Sequence, residues 1–164
     1  MRALRLIKDR RSVRKFKKRA VSRQTVNKIL EAGRWAPSGL NNQPWRFMVL
    51  DKEKKDALAV FTHYGHIIKS ADKLILVFLD KKTSYNYEKD LMAIGSCIQN
   101  ILLCIHSKKL GACWLGEILN QKKKVHKYLK LRPNLELEAV IALGAPVSYP
   151  RLTKRKKLKS LIIK

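Results

Sequence analysis

Apolar residues along the chain recur in two patterns, one at helical spacing and one as short continuous runs. Through 89–108 they return every three or four residues, which predicts a long helix at the centre of the core. The run 74–79 is apolar throughout, too short to span a membrane and typical of a strand buried on both faces. The same patterns predict further helices over 2–9, 22–35, 53–69 and 120–131, and further strands over 45–50, 112–115 and 138–143.

Capping and breaking residues mark the boundaries of these elements. Ser22 and Asn120 are suitable N-caps for the helices that follow them. Gly111 ends the long helix, and Pro44 requires an extended approach to the strand at 45–50. Short strands interleaved with longer helices predict an α+β sandwich, with helices packed on a sheet. Because no repeat or linker divides the chain, we expect a single domain over 1–164.

Composition excludes several classes of protein. With 46% hydrophobic and 30% charged residues, the chain does not fit disordered, collagen-like or disulfide-scaffold proteins. Cys97, Cys104 and Cys113 are odd in number and lack zinc-site spacing, so we expect structural roles for them. His63 and His66 have no acidic or cysteine partner nearby, which predicts no metal site. The N-terminus lacks the apolar stretch of a signal peptide, and we expect a cytoplasmic protein.

Net charge is the unusual property of this composition. Thirty-seven Lys and Arg residues against twelve Asp and Glu residues give +25. Such a field attracts phosphates, nucleic acids and acidic proteins. The basic residues are spread over every segment, and no helix-turn-helix, zinc-finger or RNP-like pattern accompanies them. Charge alone therefore predicts non-specific nucleic-acid binding, and a basic nucleic-acid-binding protein stays open as an alternative function.

The first cluster with recognisable chemistry follows the predicted helix at 2–9. Arg10, Arg11, Ser12 and Arg14 place three guanidinium groups and a hydroxyl within five residues. A guanidinium offers a planar fork of donors to phosphate oxygens, and serine adds a neutral donor. The cluster is suited to binding a phosphate group, but on its own it is equally typical of a solvated basic arm or a nucleic-acid patch.

The second cluster is the segment 36–47, which is rich in amide side chains. Its two prolines restrict the backbone, while its hydroxyl and amide groups supply neutral donors and acceptors. A rigid loop of this kind suits a heterocycle that carries carbonyls and ring nitrogens. An Asn-rich turn would explain Asn41 and Asn42, but it does not explain the Pro-Ser at 37–38 or the Gln-Pro-Trp at 43–45.

Together with three later segments, these clusters resemble the nitroreductase family over nearly the whole chain and in the family's order. The matching segments are Arg-Arg-Ser-Val-Arg-x-Phe at 10–16, Ala-Pro-Ser-x-x-Asn-x-Gln-Pro-Trp at 36–45, the segment 93–100, Leu-Gly-Ala-Cys-Trp-Leu-Gly at 110–116 and Gly-x-Pro at 144–146. The resemblance implies a nitroreductase-like sandwich with a mainly antiparallel sheet of four or five strands flanked by helices. It also implies a homodimer with FMN at the subunit interface, where both subunits line each site.

The resemblance further implies which residues of this chain bind FMN. Arg10 and Ser12 would hold the phosphate together with Arg155 near the C-terminus, and Arg14 would reach the pyrimidine edge of the isoalloxazine. The other implied residues are Arg11 and Lys157 beside the phosphate, Pro37, Ser38, Gly39, Asn41 and Gln43 from the partner subunit, and Trp114, Leu115 and Gly116 along the ring. For Trp45 we expect packing in the core or an interface.

The activity implied is ping-pong hydride transfer from NADH or NADPH, through FMN, to a small oxidised acceptor such as a nitroaromatic or a quinone. No dedicated general acid or base and no membrane partner are implied. Two alternatives keep the flavin: a flavin-fragmenting or dehalogenating enzyme, and a flavoprotein of the same fold that an acidic redox protein reduces. The basic surface makes the last of these physically reasonable, because opposite charges speed encounter.

Overall fold

A five-stranded antiparallel sheet forms the centre of the computed structural model, which describes residues 2–163; the two end residues of the predicted 1–164 domain lie outside that range. The strands are β1 (Phe16–Lys17), β2 (Trp45–Asp51), β3 (Lys73–Asp80), β4 (Gly111–Leu115) and β5 (Leu135–Pro146). The helices are α1 (Arg2–Asp9), α2 (Arg23–Arg34), α3 (Lys52–Asp56), α4 (Gly65–Ser70), α5 (Tyr87–Ser107) and α6 (Lys122–Tyr128). Short 3₁₀ turns lie at Gly39–Asn41, Ala57–Phe61, Glu117–Gln121 and Leu158–Ser160.

β3 and β5 are the inner strands of this sheet. β3 pairs with β2 on one side and with β5 on the other, and β5 also pairs with β4 and β1. Between β3 and β5, Val77 faces Ala139 whereas Phe78 faces Leu137, so Glu138 is an extra residue in β5 without a partner in β3. This irregularity is a β-bulge, and it lies just beyond the end of β4.

Apolar packing on both faces of the sheet explains its continuous apolar strand. Ile75, Val77 and Leu79 belong to the core beneath α2 and α5, and the intervening residues of β3 belong to the core on the opposite face. The prediction that 74–79 is buried on both faces is therefore confirmed. α2 approaches α5 closely, since a Cβ added at Gly33 would lie 2.8 Å from Ile101 Cγ1.

α5 is the predicted central helix. It is long and apolar enough to cross a membrane by length and composition, but here its apolar residues pack against α2 and the sheet. Asn86 caps its first turn by accepting a hydrogen bond from the Lys89 amide at 3.0 Å. Trp45 is buried in the same core, as expected. Burial raises the pKa of Cys97 to about 12, which fits a structural thiol.

The predicted helix over 53–69 is wrong, because the segment is divided into α3, a 3₁₀ turn and α4. Thr62 is extended, with φ −152° and ψ 146°, and its hydroxyl donates to the Glu117 carboxylate at 2.5 Å. A Cβ at Gly65 would lie 2.5 Å from the Ala59 carbonyl oxygen, so the chain turns there where only glycine fits. A contact between distant segments thus overrides the local helical pattern.

Two other boundaries differ from the predictions. The helix predicted from Asn120 to 131 begins at Lys122 and ends at Tyr128, with Asn120 inside the preceding 3₁₀ turn. The strand predicted over 138–143 extends to Leu135–Pro146, because its ends pair with β3 and β1. The Ser22 cap of α2 is confirmed, since its hydroxyl oxygen accepts from the Thr25 amide at 3.2 Å.

Candidate functional site

Three arginines converge on an open pocket between α1, α5 and the C-terminal tail. Arg10 and Arg11 directly follow α1, and Arg155 reaches the pocket from the tail. The pocket encloses about 500 Å³. Its other lining residues are Ile7, Lys8, Gln99, Leu152 and Thr153, so no acidic side chain lines it.

The electrostatics of this pocket favour an anion. Burial together with the charges of Arg11 and Arg155 lowers the pKa of Arg10, although a guanidinium stays protonated at any physiological pH. The Nη1 of Arg11 donates to the carbonyls of Lys8 and Arg10, at 2.5 and 2.6 Å, while its buried Nε has no partner. Clustered guanidiniums with an unused buried donor fit a phosphate group, which would supply both charge and acceptors.

Not every residue predicted for the phosphate lies in this pocket. Ser12 instead forms a parallel bridge with Ala112, which aligns the 10–14 segment with β4. Lys157 is exposed, follows the pocket in the tail and does not line it. Lys8, Gln99 and Thr153 do line it and were not predicted. The apolar pattern of α5 did not single out Gln99, because this residue is exposed and the buried positions Ile98 and Ile101 continue on either side of it.

A second, smaller pocket lies along β4. The structure brings the sequence-predicted residues Arg14, Trp114, Leu115 and Gly116 together there, around a space of about 180 Å³. The 10–14 segment reaches β4 because the Val13 amide donates to the Ala112 carbonyl at 2.8 Å. Gly116 leaves its side of the backbone open, since a Cβ added there would contact nothing within 4 Å.

Tyr64 and Ile67 complete the wall of this second pocket together with Cys113. Tyr64 precedes α4 and is part of the segment whose helix was wrongly predicted, which is why periodicity did not single it out. Half-exposed aromatic rings, Tyr64 and Trp114, thus line the pocket that Arg14 enters.

The 37–43 loop lies at the other side of the sheet. It leads into β2, which β3 and β5 separate from β4. Within one chain, therefore, Pro37, Ser38, Gly39, Asn41 and Gln43 line neither of the two pockets. The loop is ordered by its own hydrogen bonds, including one from the Gln43 amide to Ser38 Oγ at 3.0 Å.

Similarity to known proteins adds the last observation on this site. The sequence model that defines the nitroreductase family matches residues 7–63 and 60–145 of this chain. The chain belongs to the nitroreductase family. One similar structure is a nitroreductase from Desulfovibrio desulfuricans that was solved in complex with FMN. It is 46% identical in sequence and has a TM-score of 0.94, and the match covers 98% of this chain and 95% of that chain.

Two further relatives are similar to this chain over most of their own length. An Archaeoglobus fulgidus protein, provisionally named as an NADH dehydrogenase/NAD(P)H nitroreductase, is 32% identical over 87% of this chain and 84% of its own. A Clostridium acetobutylicum structure, provisionally named as an NADH oxidase, is 31% identical with a TM-score of 0.89 and covers 97% of this chain and 98% of its own. The α+β sandwich with a five-stranded antiparallel sheet is thus the nitroreductase fold.

No candidate metal centre is found among the described residues. Across 2–163, no group of three or more His, Cys, Asp or Glu side chains is placed to bind a metal ion. His63 lies 3.8 Å from the Glu117 carboxylate, but that carboxylate already accepts from Thr62 and the His63 amide.

Proposed function

We propose that this protein is an FMN-dependent oxidoreductase that transfers hydride in a ping-pong cycle from NADH or NADPH to a small oxidised acceptor, such as a nitroaromatic or a quinone. The observation that carries the proposal is the acid-free arginine pocket, with its unused Arg11 donor, in a chain 46% identical to a protein solved with FMN. Free thiols at Cys97, Cys104 and Cys113 support a reducing compartment such as the cytoplasm.

Arg10, Arg11 and Arg155 would hold the phosphate of FMN, because all three line one pocket without a competing carboxylate. Arg14 would lie at the pyrimidine edge, where its charge favours the extra negative charge of the reduced ring. Trp114, Leu115 and Gly116 would pack along the ring, with Gly116 allowing close approach of the backbone. FMN would supply the hydride-transfer chemistry when bound, and these residues would bind and orient it.

The first test is flavin uptake. We expect protein purified in high salt, which removes nucleic acid, to take up FMN and to show the visible absorption bands of bound flavin. Anaerobic NADH or NADPH should then bleach those bands, and a nitroaromatic or quinone should restore them. A colourless protein that takes up no FMN would contradict the proposal, and the basic nucleic-acid-binding alternative would then lead.

A homodimer is part of this proposal, because the 37–43 loop can meet the pockets of a second chain although it does not meet its own. Large apolar side chains on the 37–43 loop and the helices beside it are exposed: Trp35 by 73%, Leu40 by 85% and Met92 by 71%. An apolar surface of this kind indicates a protein partner. Leu152, Leu158 and Ile163 of the C-terminal tail are exposed as well and would extend the interface.

The Met92→Glu variant tests the dimer. We expect the wild-type chain of 19.0 kDa to have about twice that mass in solution. Met92→Glu should be monomeric and should bind FMN weakly, since a buried unpaired charge in the interface is costly. Val60→Glu is the matched control, because Val60 is 81% exposed in a turn on the opposite face of the sheet. A dimeric Met92→Glu variant would contradict an interface at α5.

A protein electron donor is the second candidate, favoured by the charge of α6. This helix follows the Trp114–Gly116 segment after one 3₁₀ turn, and Lys123, Lys124 and Lys127 on it are exposed. An acidic redox protein would be attracted there, with a rate of flavin reduction that falls steeply with salt. Equal rates of reduction by such a carrier at low and high salt would exclude this candidate.

A further inference from the structure

A completely buried carboxylate lies in the first turn of α5, outside the residues that line the two pockets. Asp90 is 0% exposed, and its oxygens accept four hydrogen bonds. Asn42 Nδ2 donates to Oδ1 at 2.8 Å, while Ser84 Oγ and the amides of Tyr85 and Asn86 donate to Oδ2 at 2.6, 3.1 and 3.4 Å. Burial raises the pKa of Asp90, but these hydrogen bonds outweigh burial and lower it, so the carboxylate stays ionised at neutral pH.

This carboxylate joins two segments that are distant in sequence. Asn42 belongs to the 37–43 loop, whereas the other three donors belong to the segment that leads into α5. Asn42 Nδ2 also donates to the Thr83 carbonyl at 3.0 Å. One side-chain amide therefore connects the loop both to Thr83 and to Asp90, which lie seven residues apart. The loop is therefore fixed from outside by Asn42, in addition to its internal bonds.

The 37–43 loop needs such support because its backbone is strained. Leu40, Asn41 and Gln43 all have left-handed φ angles, of 53°, 52° and 47°. Conformations of this kind are unfavourable for residues other than glycine and persist where surrounding contacts impose them. Leu40 is largely exposed, so its own side chain does little to hold the loop within one chain.

The same carboxylate also holds the backbone of Tyr85, whose ring lies against the loop. A Cβ added at Gly39 would lie 2.0 Å from the Tyr85 hydroxyl oxygen, so this ring lies directly on Gly39. Lys89 lies 5.6 Å from the ring centroid on α5 and helps to hold it. Since the Tyr85 amide and the Asn42 side chain bind the same carboxylate, the loop and the ring form one unit.

We propose that Asp90 and Asn42 are positioning residues, which fix the 37–43 loop and the Tyr85 ring in the arrangement that flavin binding requires. The inference rests on the proposed function, in which Ser38, Gly39 and Asn41 approach the flavin of the partner subunit. Neither Asp90 nor Asn42 needs to touch the flavin, because each acts through the loop it holds. A small displacement of such a loop is enough to weaken binding and turnover.

Asn42→Ala tests the proposal against a matched control, Asn134→Ala. Asn134 Nδ2 donates to the buried carboxylate of Asp80 at 2.6 Å, so both variants remove one Asn–Asp hydrogen bond at the same end of the sheet. We expect both variants to lose thermal stability, and Asn42→Ala somewhat more, because it also removes the bond to the Thr83 carbonyl. Only Asn42→Ala should raise the Kd for FMN and the KM for the acceptor, by about 10-fold.

The pH dependence of FMN binding by Asn42→Asp distinguishes a positioning role from a simple loss of stability. It would place two carboxylates in contact, so the pair would repel when both are ionised and would form a hydrogen bond when they share a proton. The FMN Kd of the variant, divided by that of the wild type at the same pH, should therefore fall as the pH is lowered from 8 to 5. The division removes the ionisation of the FMN phosphate, which both proteins experience.

The outcomes separate this inference from the proposed function. If the wild type binds FMN and Asn42→Ala matches Asn134→Ala in Kd and KM, the positioning role is overturned and the proposed function stands. A Kd ratio for Asn42→Asp that does not change with pH would overturn the positioning role as well. A wild-type protein that binds no FMN would overturn both.

Discussion

Arg10→Ala is expected to weaken FMN binding by about 10- to 100-fold. The variant removes one guanidinium from a pocket in which Arg11 and Arg155 are the neighbouring cations and no acidic side chain is present. A hydrogen bond to a charged group contributes roughly 1.5–3 kcal/mol, and each 1.4 kcal/mol is about tenfold in affinity. Titration of the apoprotein with FMN, followed by flavin fluorescence, measures the Kd.

Two controls show whether the lost interaction is with the phosphate. Riboflavin has the same ring without the phosphate, so its affinity should be nearly equal in Arg10→Ala and the wild type. Arg5→Ala removes the same charge from an exposed position on α1, where Arg5 lies 3.5 Å from Asp9 and lines no part of the pocket. Unchanged FMN affinity in Arg10→Ala would mean that the phosphate is bound elsewhere.

Elements that local patterns dictate could be predicted from the sequence, and elements that distant contacts dictate could not. α5 and β3 have apolar positions that match their burial, so periodicity identified both. The 53–69 segment has equally helical residues, but the bond from Thr62 to Glu117 and the close approach of Gly65 to Ala59 divide it. β1, only two residues long, has no pattern of its own and exists because β5 extends far enough to pair with it.

The candidate site residues also divide into those that a local sequence pattern indicates and those that depend on the folded backbone. Arg10 and Arg11 were candidates because clustered guanidiniums suit a phosphate and the family resemblance includes this segment, and Arg14 was a candidate because the same resemblance includes it. In the amide-rich loop, by contrast, Asn41 and Gln43 were chosen although Asn42 makes the bonds to Asp90. The sequence shows that the loop is rich in amide side chains. The direction in which each of them points depends on the left-handed φ angles of the loop, and these angles cannot be predicted from composition.

Glu138 is a half-buried acidic residue that the proposed function does not use. It is the extra residue of the β5 bulge, and its half-buried side chain has one oxygen, Oε1, with no hydrogen-bond partner. Glu136 lies nearby and is paired with Lys81 and Lys122. Burial, with a smaller contribution from the charge of Glu136, raises the pKa of Glu138 to about 7, against the opposing effect of the two lysines.

Glu138→Gln should therefore stabilise the protein above pH 7 and leave it unchanged below pH 4.5. Because the folded pKa of about 7 exceeds the usual 4.5, the folded state holds the proton more tightly, and this advantage is lost as the pH rises from 4.5 through 7. At about 1.4 kcal/mol per pH unit, reduced by about half for solvent screening of a half-buried group, ionisation costs the folded state about 1–2 kcal/mol. For a chain of this size that is a rise in Tm of about 3–6 °C at pH 8.

Thermal melts of both proteins at pH 4.5 and pH 8 measure this difference. Glu88→Gln is the control, because Glu88 is exposed on α5 and its replacement removes the same formal charge from a protein of net charge +25. A general gain from changing the net charge would appear in both variants, whereas relief of a buried carboxylate would appear in Glu138→Gln alone and only at high pH. If Glu138→Gln melted below the wild type at pH 8, its carboxylate would be a stabilising charge paired with Lys81 or Lys122, and the bulge would hold it ionised.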